Sequence, residues 1–245
     1  MSNIAKIPEP PEDLHICFGG GDFHAIGIKM INLCKNELGI ATDSKVLDIG
    51  CGIGRLAFPL LDYLSEEGRY DGFDTFPVGI KWCTENITPE FPTFNFQLVD
   101  IFNSTYNPYA QSTAADFVFP FEDNTFDLVM LNSVFTHMMP DDIMNYVEQI
   151  DRVLNDHGKI FVTFFLVNDE SLELMDQKKS VHDFHKYGVF YTADPKEPMD
   201  AVGYDESFVR NIFEKHDFKI KKIMYGGWCG RKPTQNHQDI MLITR

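Results

Sequence analysis

The chain has 245 residues and a formal net charge of −16. This length fits one domain with a sizeable hydrophobic core. Binding to nucleic acid or to an anionic membrane surface needs clustered cations, so the acidic balance argues against both kinds of partner, although Lys219 to Lys222 form a local basic cluster. The sequence has no run of about 18 apolar residues, which a membrane-spanning helix would need.

The five cysteines are scattered and form no C-x-x-C pair, which predicts neither a zinc site nor a disulfide framework. His182 and His185 have an H-x-x-H spacing, but no acid stands at a clear ligand spacing from them, and we predict no metal site. The N-terminus carries acids among prolines and lacks the pattern of a signal peptide. We therefore expect a cytoplasmic protein.

In chain order, the first predicted helix runs from Phe23 to about Leu38, with Asp22 as its N-cap. Residues 1–18 are predicted to be irregular, and residues 1–40 together form an N-terminal cap segment. The glycines before Asp22 let the chain turn ahead of this helix.

A strand that ends at Ile49 is followed by a turn with three alternating glycines, Gly50, Gly52 and Gly54. Glycine suits such a turn because it adopts positive φ and has no Cβ to keep a ligand away. The helix that follows offers unpaired N–H groups at its N-terminus. The pattern predicts a nucleotide-type cofactor site at the end of the first parallel strand.

The spacing G-x-G-x-G separates this turn from the dinucleotide fingerprint G-x-G-x-x-G, whose third glycine would stand where the chain has Arg55. Asp48 lies inside the strand, from which its carboxylate reaches either the amides of the turn or the ammonium group of a ligand. Arg55 either pairs with a carboxylate of the cofactor or caps the start of the next helix. The sequence leaves both pairs of alternatives open.

Polar residues stand at the ends of the next three predicted strands, which lie at 69–73, 94–99 and 126–131. Asp74 ends the second strand, about 20 residues after the last glycine, where nucleotide-binding α/β folds place an acid against the ribose. Asp100 and Ile101 follow the third strand, and Asn132 follows the fourth. Because the carboxyl ends of parallel strands share one edge of a sheet, we expect these residues to surround one ligand.

The remaining predicted elements complete an alternating α/β pattern. Further helices are predicted at 56–64, at 78–86, from 140 through Leu154 with Gly158 beyond the helix, and from the cap Asp205 to about 215. Further strands are predicted at 159–167, 217–225 and 238–244. The strand at 159–167 is continuously apolar, which is typical of a strand buried in a parallel sheet.

The stretch V-L-D-I-G-C-G-I-G-R, with acids behind the successive strands, resembles motif I and the following elements of the class I S-adenosylmethionine-dependent methyltransferases. The resemblance extends over residues 19–243, and the segments S-V-F-T-H-M and F-F-L-V-N-D resemble bacterial small-molecule members. It implies an α/β fold with a seven-stranded, mostly parallel, Rossmann-like sheet, helices on both faces and the last strand antiparallel. It also implies a single domain over residues 1–245 and S-adenosylmethionine as the cofactor.

The resemblance assigns roles to several of these residues. Asp74 would accept from the ribose hydroxyls, Asp100 from the adenine amino group, and the Ile101 amide would donate to the adenine ring. In this family the region before the first strand folds over the cofactor, so Phe23 would cover it; the alternative is that the glycines before Asp22 only let the chain turn. The predicted cofactor-binding residues are Phe23, Asp48, Gly50, Gly52, Gly54, Arg55, Asp74, Asp100, Ile101 and Asn132.

His137 is the predicted catalytic residue. It follows the fourth strand, at the mouth of the expected cofactor cleft. A hydroxyl acceptor has to lose its proton, and histidine is the usual base near neutral pH. The alternative is a histidine that hydrogen-bonds the backbone and shapes the loop.

Two long connections, at 101–124 and 168–204, exceed what the scaffold needs. Long connections in compact domains are often functional lids, so we expect both to roof a pocket and 168–204 to act as a substrate lid. Ordered surface loops or a contact in a homodimer are the alternatives.

The sequence therefore predicts methyl transfer to a small-molecule acceptor, to a hydroxyl of a natural product or sugar-type substrate in preference to an amine. The absence of N-P-P-Y and D-P-P-Y motifs disfavours N-methylation of bases or glutamine. Three alternatives remain: an N-methyltransferase acting on a small-molecule amine, a nicotinamide-dependent Rossmann oxidoreductase, and a non-catalytic S-adenosylmethionine-binding scaffold.

Overall fold

The computed structural model describes residues 6–17, 20–104, 106–232 and 234–245, so part of the predicted N-terminal cap segment lies outside the described residues. The helices are α1 Glu12–Cys17, α2 Phe23–Leu33, α3 Phe58–Leu61, α4 Pro77–Asn86, α5 Pro140–Val153, α6 Asp169–Asp176 and α7 Glu206–Glu214. The strands are β1 Lys45–Ile49, β2 Arg69–Asp74, β3 Phe94–Leu98, β4 Phe126–Leu131, β5 Leu154–Phe164, β6 Leu166–Val167, β7 His185–Tyr187, β8 Phe190–Thr192, β9 Val202–Asp205, β10 Lys219–Met224 and β11 Asp239–Thr244.

Seven strands form the main sheet in the order β10-β11-β5-β4-β1-β2-β3. The pairs among β3, β2, β1, β4 and β5 are parallel, and β11 lies antiparallel between β5 and β10. The predicted seven-stranded, mostly parallel sheet with an antiparallel last strand is confirmed. The order reverses next to β1, so the carboxyl ends of β1, β2 and β4 form the crevice in which such sheets bind ligands.

Both faces of the sheet are covered, because successive side chains of a strand point to opposite faces. On β1, Leu47 and Ile49 join the core that contains Ile150 of α5 and Phe213 of α7. Val46 joins the core on the other face, which is built from α2, α3 and α4. The predicted helices on both faces are therefore present.

Three helical boundaries differ from the predictions. The helix predicted at 56–64 shrinks to the four residues of α3, in which Pro59 occupies the first turn. The first predicted helix continues beyond α2 only as a π-type turn, Cys34–Leu38. The segment predicted to be irregular contains α1, which begins with two acids in its first turn, where negative charge is favourable.

The strand predicted at 159–167 divides at Phe165. Its last part, β6, leaves the main sheet and pairs in parallel with β9, which begins a second sheet of order β6-β9-β8-β7. Asp239 holds this junction together. Its buried carboxylate accepts from the Leu166 and Gly226 amides and from the Trp228 indole N–H, each at 2.7 Å.

The segment 168–204 is therefore an ordered unit of one helix and three strands. Its Phe184 and Tyr191 share a small core with Phe165 and Trp228. Val202, in β9, is buried in the core of the main sheet. Among the helices that the described ranges contain, none is long and apolar enough to cross a bilayer.

Candidate active site

A cavity of about 460 Å³ lies at the carboxyl ends of β1, β2 and β4. This volume is in the range of pockets that bind small molecules and cofactors. The cavity is formed by the glycine turn, the end of β2, the loop after β3 and the loop after β4. Its lining residues are Asp48, Ile49, Gly50, Cys51, Gly52, Ile53, Arg55, Leu56, Phe73, Asp74, Thr75, Val99, Ile101, Phe102, Asn103, Tyr106, Ala114, Asn132, Ser133, Val134, His137, Met138, Tyr146, Met199 and Gln238.

The glycine turn forms one wall of this cavity. Gly50, Gly52 and Gly54 have φ values of +72°, +57° and +78°, which side chains of L-residues rarely allow. A Cβ added to Gly50 would lie 2.5 Å from the Val134 side chain. The Gly50 amide donates to the carbonyl oxygen of Phe73 at 2.8 Å, which ties the turn to the end of β2. Gly50 and Gly52 thus line the cavity with backbone, and Gly50 has no room for a side chain beside Val134.

Asp74 closes the turn from the other side. Its carboxylate accepts from the Gly52 amide at 2.8 Å and from the Phe76 amide at 2.9 Å. Burial raises the pKa of this carboxyl, and the backbone N–H groups oppose the shift. A carboxylate has about four acceptor positions, so it can accept hydroxyl protons of a ligand besides these two amides.

Asp48 lies deeper, with 1% of its surface exposed, and accepts from the Tyr70 hydroxyl at 2.6 Å. Burial raises its pKa to about 7, and the nearby charge of Asp74 adds to the rise, while the hydrogen bond from Tyr70 opposes it. The Gly50 and Gly52 amides donate to Phe73 and Asp74 instead of Asp48. The predicted contact of Asp48 with these two amides is therefore absent, and its observed partner is the Tyr70 hydroxyl.

Arg55 connects the cavity to the N-terminal segment. Its Nη2 donates to the Gly20 carbonyl oxygen at 2.9 Å, and its guanidinium lies 5.8 Å from the centre of the Phe23 ring. Its Nε is buried without a protein partner, so it can donate to an anionic group in the cavity. Phe23 itself does not line the cavity. It is 3% exposed and packs against His15 and Phe58.

Two further predicted residues also lie outside the lining. Gly54 faces Cys83 and Ile87 beneath the turn, where an added Cβ would lie 3.3 Å and 3.2 Å from their side chains. Asp100 is exposed, and its carboxylate accepts from the Asn107 side-chain amide at 3.2 Å. The structure therefore brings together seven of the ten predicted cofactor residues, namely Asp48, Gly50, Gly52, Arg55, Asp74, Ile101 and Asn132.

His137 ends a 3₁₀ turn after β4 and lines the cavity. Its Nδ1 lies 2.9 Å from the Met199 carbonyl oxygen. A carbonyl oxygen only accepts, so we assign the proton of the neutral ring to Nδ1, which leaves a lone pair on Nε2. Burial lowers the pKa of His137, while the Met199 backbone and the charge of Asp200 oppose the shift. The imidazole is therefore neutral at neutral pH and can accept a proton.

Sequence reasoning missed Tyr106, Met199 and Gln238. The Tyr106 ring lies edge-on to His137, with ring centres 6.4 Å apart, and Gln238 accepts from the Ser133 hydroxyl at 3.1 Å. Met199 comes from the segment 168–204, in which no motif marked it. The only local pattern in the sequence near these residues was the loop after β4, and that loop predicted His137, not Tyr106, Met199 or Gln238.

Residues 47–162 match a family model described as a methyltransferase domain. The chain carries a class I S-adenosylmethionine-dependent methyltransferase domain. The match runs from β1 through β5 and so includes the glycine turn, Asp74 and His137. The predicted membership of this class is confirmed, and S-adenosylmethionine is the cofactor of the domain.

A bovine tRNA N(3)-cytidine methyltransferase, METTL2, is 25% identical to this chain over an alignment of 138 residues that covers 52% of this chain and 32% of that protein. The chain thus spans about a third of the length of this relative.

Two solved structures share the fold of the domain. The 1,6-didemethyltoxoflavin-N1-methyltransferase of Burkholderia thailandensis has a TM-score of 0.58 and 14% identity, over 89% of this chain and 78% of that one. The mitomycin 7-O-methyltransferase MmcR has a TM-score of 0.57 and 14% identity, over 90% of this chain and 53% of that one.

The residues of the cavity fit S-adenosylmethionine. Gly50 and Gly52 line the cavity with backbone alone, and the buried Arg55 Nε, which has no protein partner, is available for the carboxylate of the cofactor. No group of three or more His, Cys, Asp and Glu side chains in the described part of the chain is arranged to hold a metal ion.

We expect the substitution Asp74→Ala to weaken the binding of S-adenosylhomocysteine by about 1–3 kcal/mol, because the ribose hydroxyls lose their acceptor. Calorimetric titration measures this loss. Asp43→Ala is the control, since Asp43 is exposed and precedes the amino end of β1, opposite the cavity. An unchanged affinity in Asp74→Ala would remove Asp74 from the cofactor site.

Proposed function

We propose that this methyltransferase domain transfers the methyl group of S-adenosylmethionine to a hydroxyl of a small, uncharged acceptor, with His137 as the general base. The observation that carries the proposal is the state of His137. Its Nδ1 is bonded to the Met199 carbonyl oxygen, its pKa is lowered by burial, and it lines the same cavity as the glycine turn.

The charged residues of the cavity suit the charged end of the cofactor. Asp48 would pair with the ammonium group of the methionine part and Arg55 with its carboxylate, while Asp74 accepts from the ribose. Ile101 and Asp100 lie on the side of the β3 loop, where the family resemblance places the adenine. Asp100 accepts one hydrogen bond from Asn107, and its carboxylate keeps further acceptor positions for the adenine amino group.

The cofactor supplies a methyl group that its sulfonium has already activated. The enzyme therefore has to align the acceptor oxygen with the bond from sulfur to the methyl carbon and to remove one proton. Bound S-adenosylmethionine would supply the methyl group and leave as S-adenosylhomocysteine, and Nε2 of His137 would take the proton of the acceptor hydroxyl. Nδ1–H stays bonded to the Met199 carbonyl oxygen, which stabilises the resulting imidazolium.

The lining around His137 favours an uncharged acceptor. The charged lining residues Asp48, Arg55 and Asp74 belong to β1, the glycine turn and the end of β2. The other lining residues include Asn103, Ser133 and Gln238, and also Tyr106 and Met199, which contact His137; none of these five carries a fixed charge. Phosphate groups of nucleic acid call for lysine and arginine, and the chain as a whole has a net charge of −16.

The strongest alternative is N-methylation, because the bovine relative is named as a tRNA cytidine methyltransferase and the Burkholderia enzyme as an N1-methyltransferase. A ring nitrogen with a free lone pair needs no base. The effect of losing His137 therefore separates the two kinds of acceptor.

We expect His137→Ala to slow turnover of a hydroxyl acceptor by about 10²–10⁴-fold. Cofactor affinity should stay nearly unchanged, since His137 lies on the acceptor side of the cavity. The control His157→Ala, at an exposed position in β5, should leave both quantities unchanged. A loss of less than tenfold would instead point to a structural histidine or to a nitrogen acceptor.

Cofactor binding should depend on pH through Asp48. Below a pKa of about 7 its carboxyl is protonated and neutral, and above it the ionised form pairs with the ammonium group. We expect the affinity for S-adenosylhomocysteine to rise about tenfold from pH 6 to pH 8, following the ionised fraction. Asp48→Asn should bind more weakly and lose this pH dependence. The same pH profile in Asp48→Asn would exclude Asp48 as its source.

A further inference from the structure

Two parts of the segment 168–204, the turn Pro198–Asp200 and β9, form hydrogen bonds with the loop of the proposed base. The Met199 carbonyl oxygen accepts from His137, and the Tyr204 hydroxyl donates to the Met138 carbonyl oxygen. Met199 is the single residue of this segment among the lining residues of the cavity. The segment therefore acts on the site chiefly through the position of the loop that holds His137.

Met199 lies in the short 3₁₀ turn Pro198–Asp200, which follows a run of exposed residues at 193–197. The Asp200 amide closes the turn by donating to the Glu197 carbonyl oxygen at 3.1 Å. The position of the Met199 carbonyl oxygen thus depends on how the exposed run is fixed to the small sheet.

Thr192 provides that connection. It ends β8 and is 1% exposed. Its hydroxyl lies 3.1 Å from the carbonyl oxygen of Asp194 and 3.2 Å from that of Pro198, and it shares its one proton between these two oxygens. One buried hydroxyl therefore contacts the exposed run near its start and just after its end, and the second contact is with the peptide group directly before Met199.

The partner of Nδ1 decides which nitrogen of a neutral imidazole carries the proton. With Nδ1–H bonded to Met199, the Nε2 lone pair is available to the acceptor. If the Met199 carbonyl oxygen moves away, the form with the proton on Nε2 is no longer disfavoured. That form has no lone pair on Nε2 and cannot take the acceptor proton there.

We propose that Thr192 is a positioning residue, which keeps His137 in the tautomer with its proton on Nδ1 by holding the turn that carries Met199. This inference rests on the proposed function for its effect on catalysis, because it matters to turnover only if His137 is the base. Its structural part, the tautomer of His137 in the free protein, is independent of any substrate.

The test compares Thr192→Val, which removes the hydroxyl, with Thr192→Ser, which keeps it. Long-range ¹H–¹⁵N spectra of the ¹⁵N-labelled full chain at neutral pH report the tautomer of His137. We expect the Nδ1–H form in the unchanged protein and in Thr192→Ser, and a mixture of both tautomers in Thr192→Val. Turnover should fall about 10- to 100-fold in Thr192→Val, with the KM for S-adenosylmethionine unchanged.

Two further variants complete the comparison. Asp194→Ala, in the same exposed run, removes a side chain that accepts from the Lys196 amide and leaves the backbone contact of Thr192 in place, so it should keep the Nδ1–H form. Pro198→Gly loosens the turn without changing the buried hydroxyl and should shift the tautomer as Thr192→Val does. Pro198→Gly therefore provides the same test if Thr192→Val does not fold.

The outcomes separate the inference from the proposed function. An unchanged tautomer in both Thr192→Val and Pro198→Gly would overturn the inference. A shifted tautomer with unchanged turnover would support the structural part but show that His137 is not the base. A shifted tautomer with reduced turnover, restored in Thr192→Ser, supports both.

Discussion

The glycine turn after β1 is the constraint on which the rest of the site depends. Other parts of the backbone approach it from two directions, more closely than a side chain would allow. A Cβ on Gly27 of α2 would lie 2.3 Å from the Arg55 carbonyl oxygen, and one on Gly79 of α4 would lie 2.7 Å from that of Gly52. The N-terminal segment and the helix after β2 are therefore packed directly against the same short stretch of backbone.

This close packing gathers three charges within one cavity. Asp48 comes from β1, Arg55 from the turn and Asp74 from the end of β2, and each has a different set of protein partners. Asp48 is buried with a raised pKa, Arg55 keeps an unpartnered Nε, and Asp74 is held by backbone amides. Two carboxyl groups and one guanidinium arranged in this way complement a cofactor that carries an ammonium group, a carboxylate and ribose hydroxyls.

The parts of the site that local sequence determines were predictable. The glycine turn, the acids after successive strands and the loop of His137 each lie within a few residues of a strand end, so a linear pattern marks them. Phe23 was harder to interpret, because an aromatic residue beside a glycine run can cover a ligand or, as here, pack into the core.

The contribution of 168–204 could not be predicted in the same way. It depends on pairing between β6 and β9, which are far apart in sequence, and on the buried Asp239 that accepts hydrogen bonds from Leu166, Gly226 and Trp228. The prediction that this segment is a lid rested on its length alone. The contact that matters at the site is one backbone carbonyl, at Met199, which no residue pattern encodes.

The most direct test of the account is calorimetric titration of the purified chain with S-adenosylhomocysteine and, separately, with NADH. The glycine spacing and the three charges of the cavity predict that S-adenosylhomocysteine binds with a dissociation constant on the order of 1 μM, about −8 kcal/mol. They also predict that NADH does not bind. Binding of NADH without binding of S-adenosylhomocysteine would contradict the assignment of the cofactor site, and with it the roles proposed for Asp48, Arg55 and Asp74.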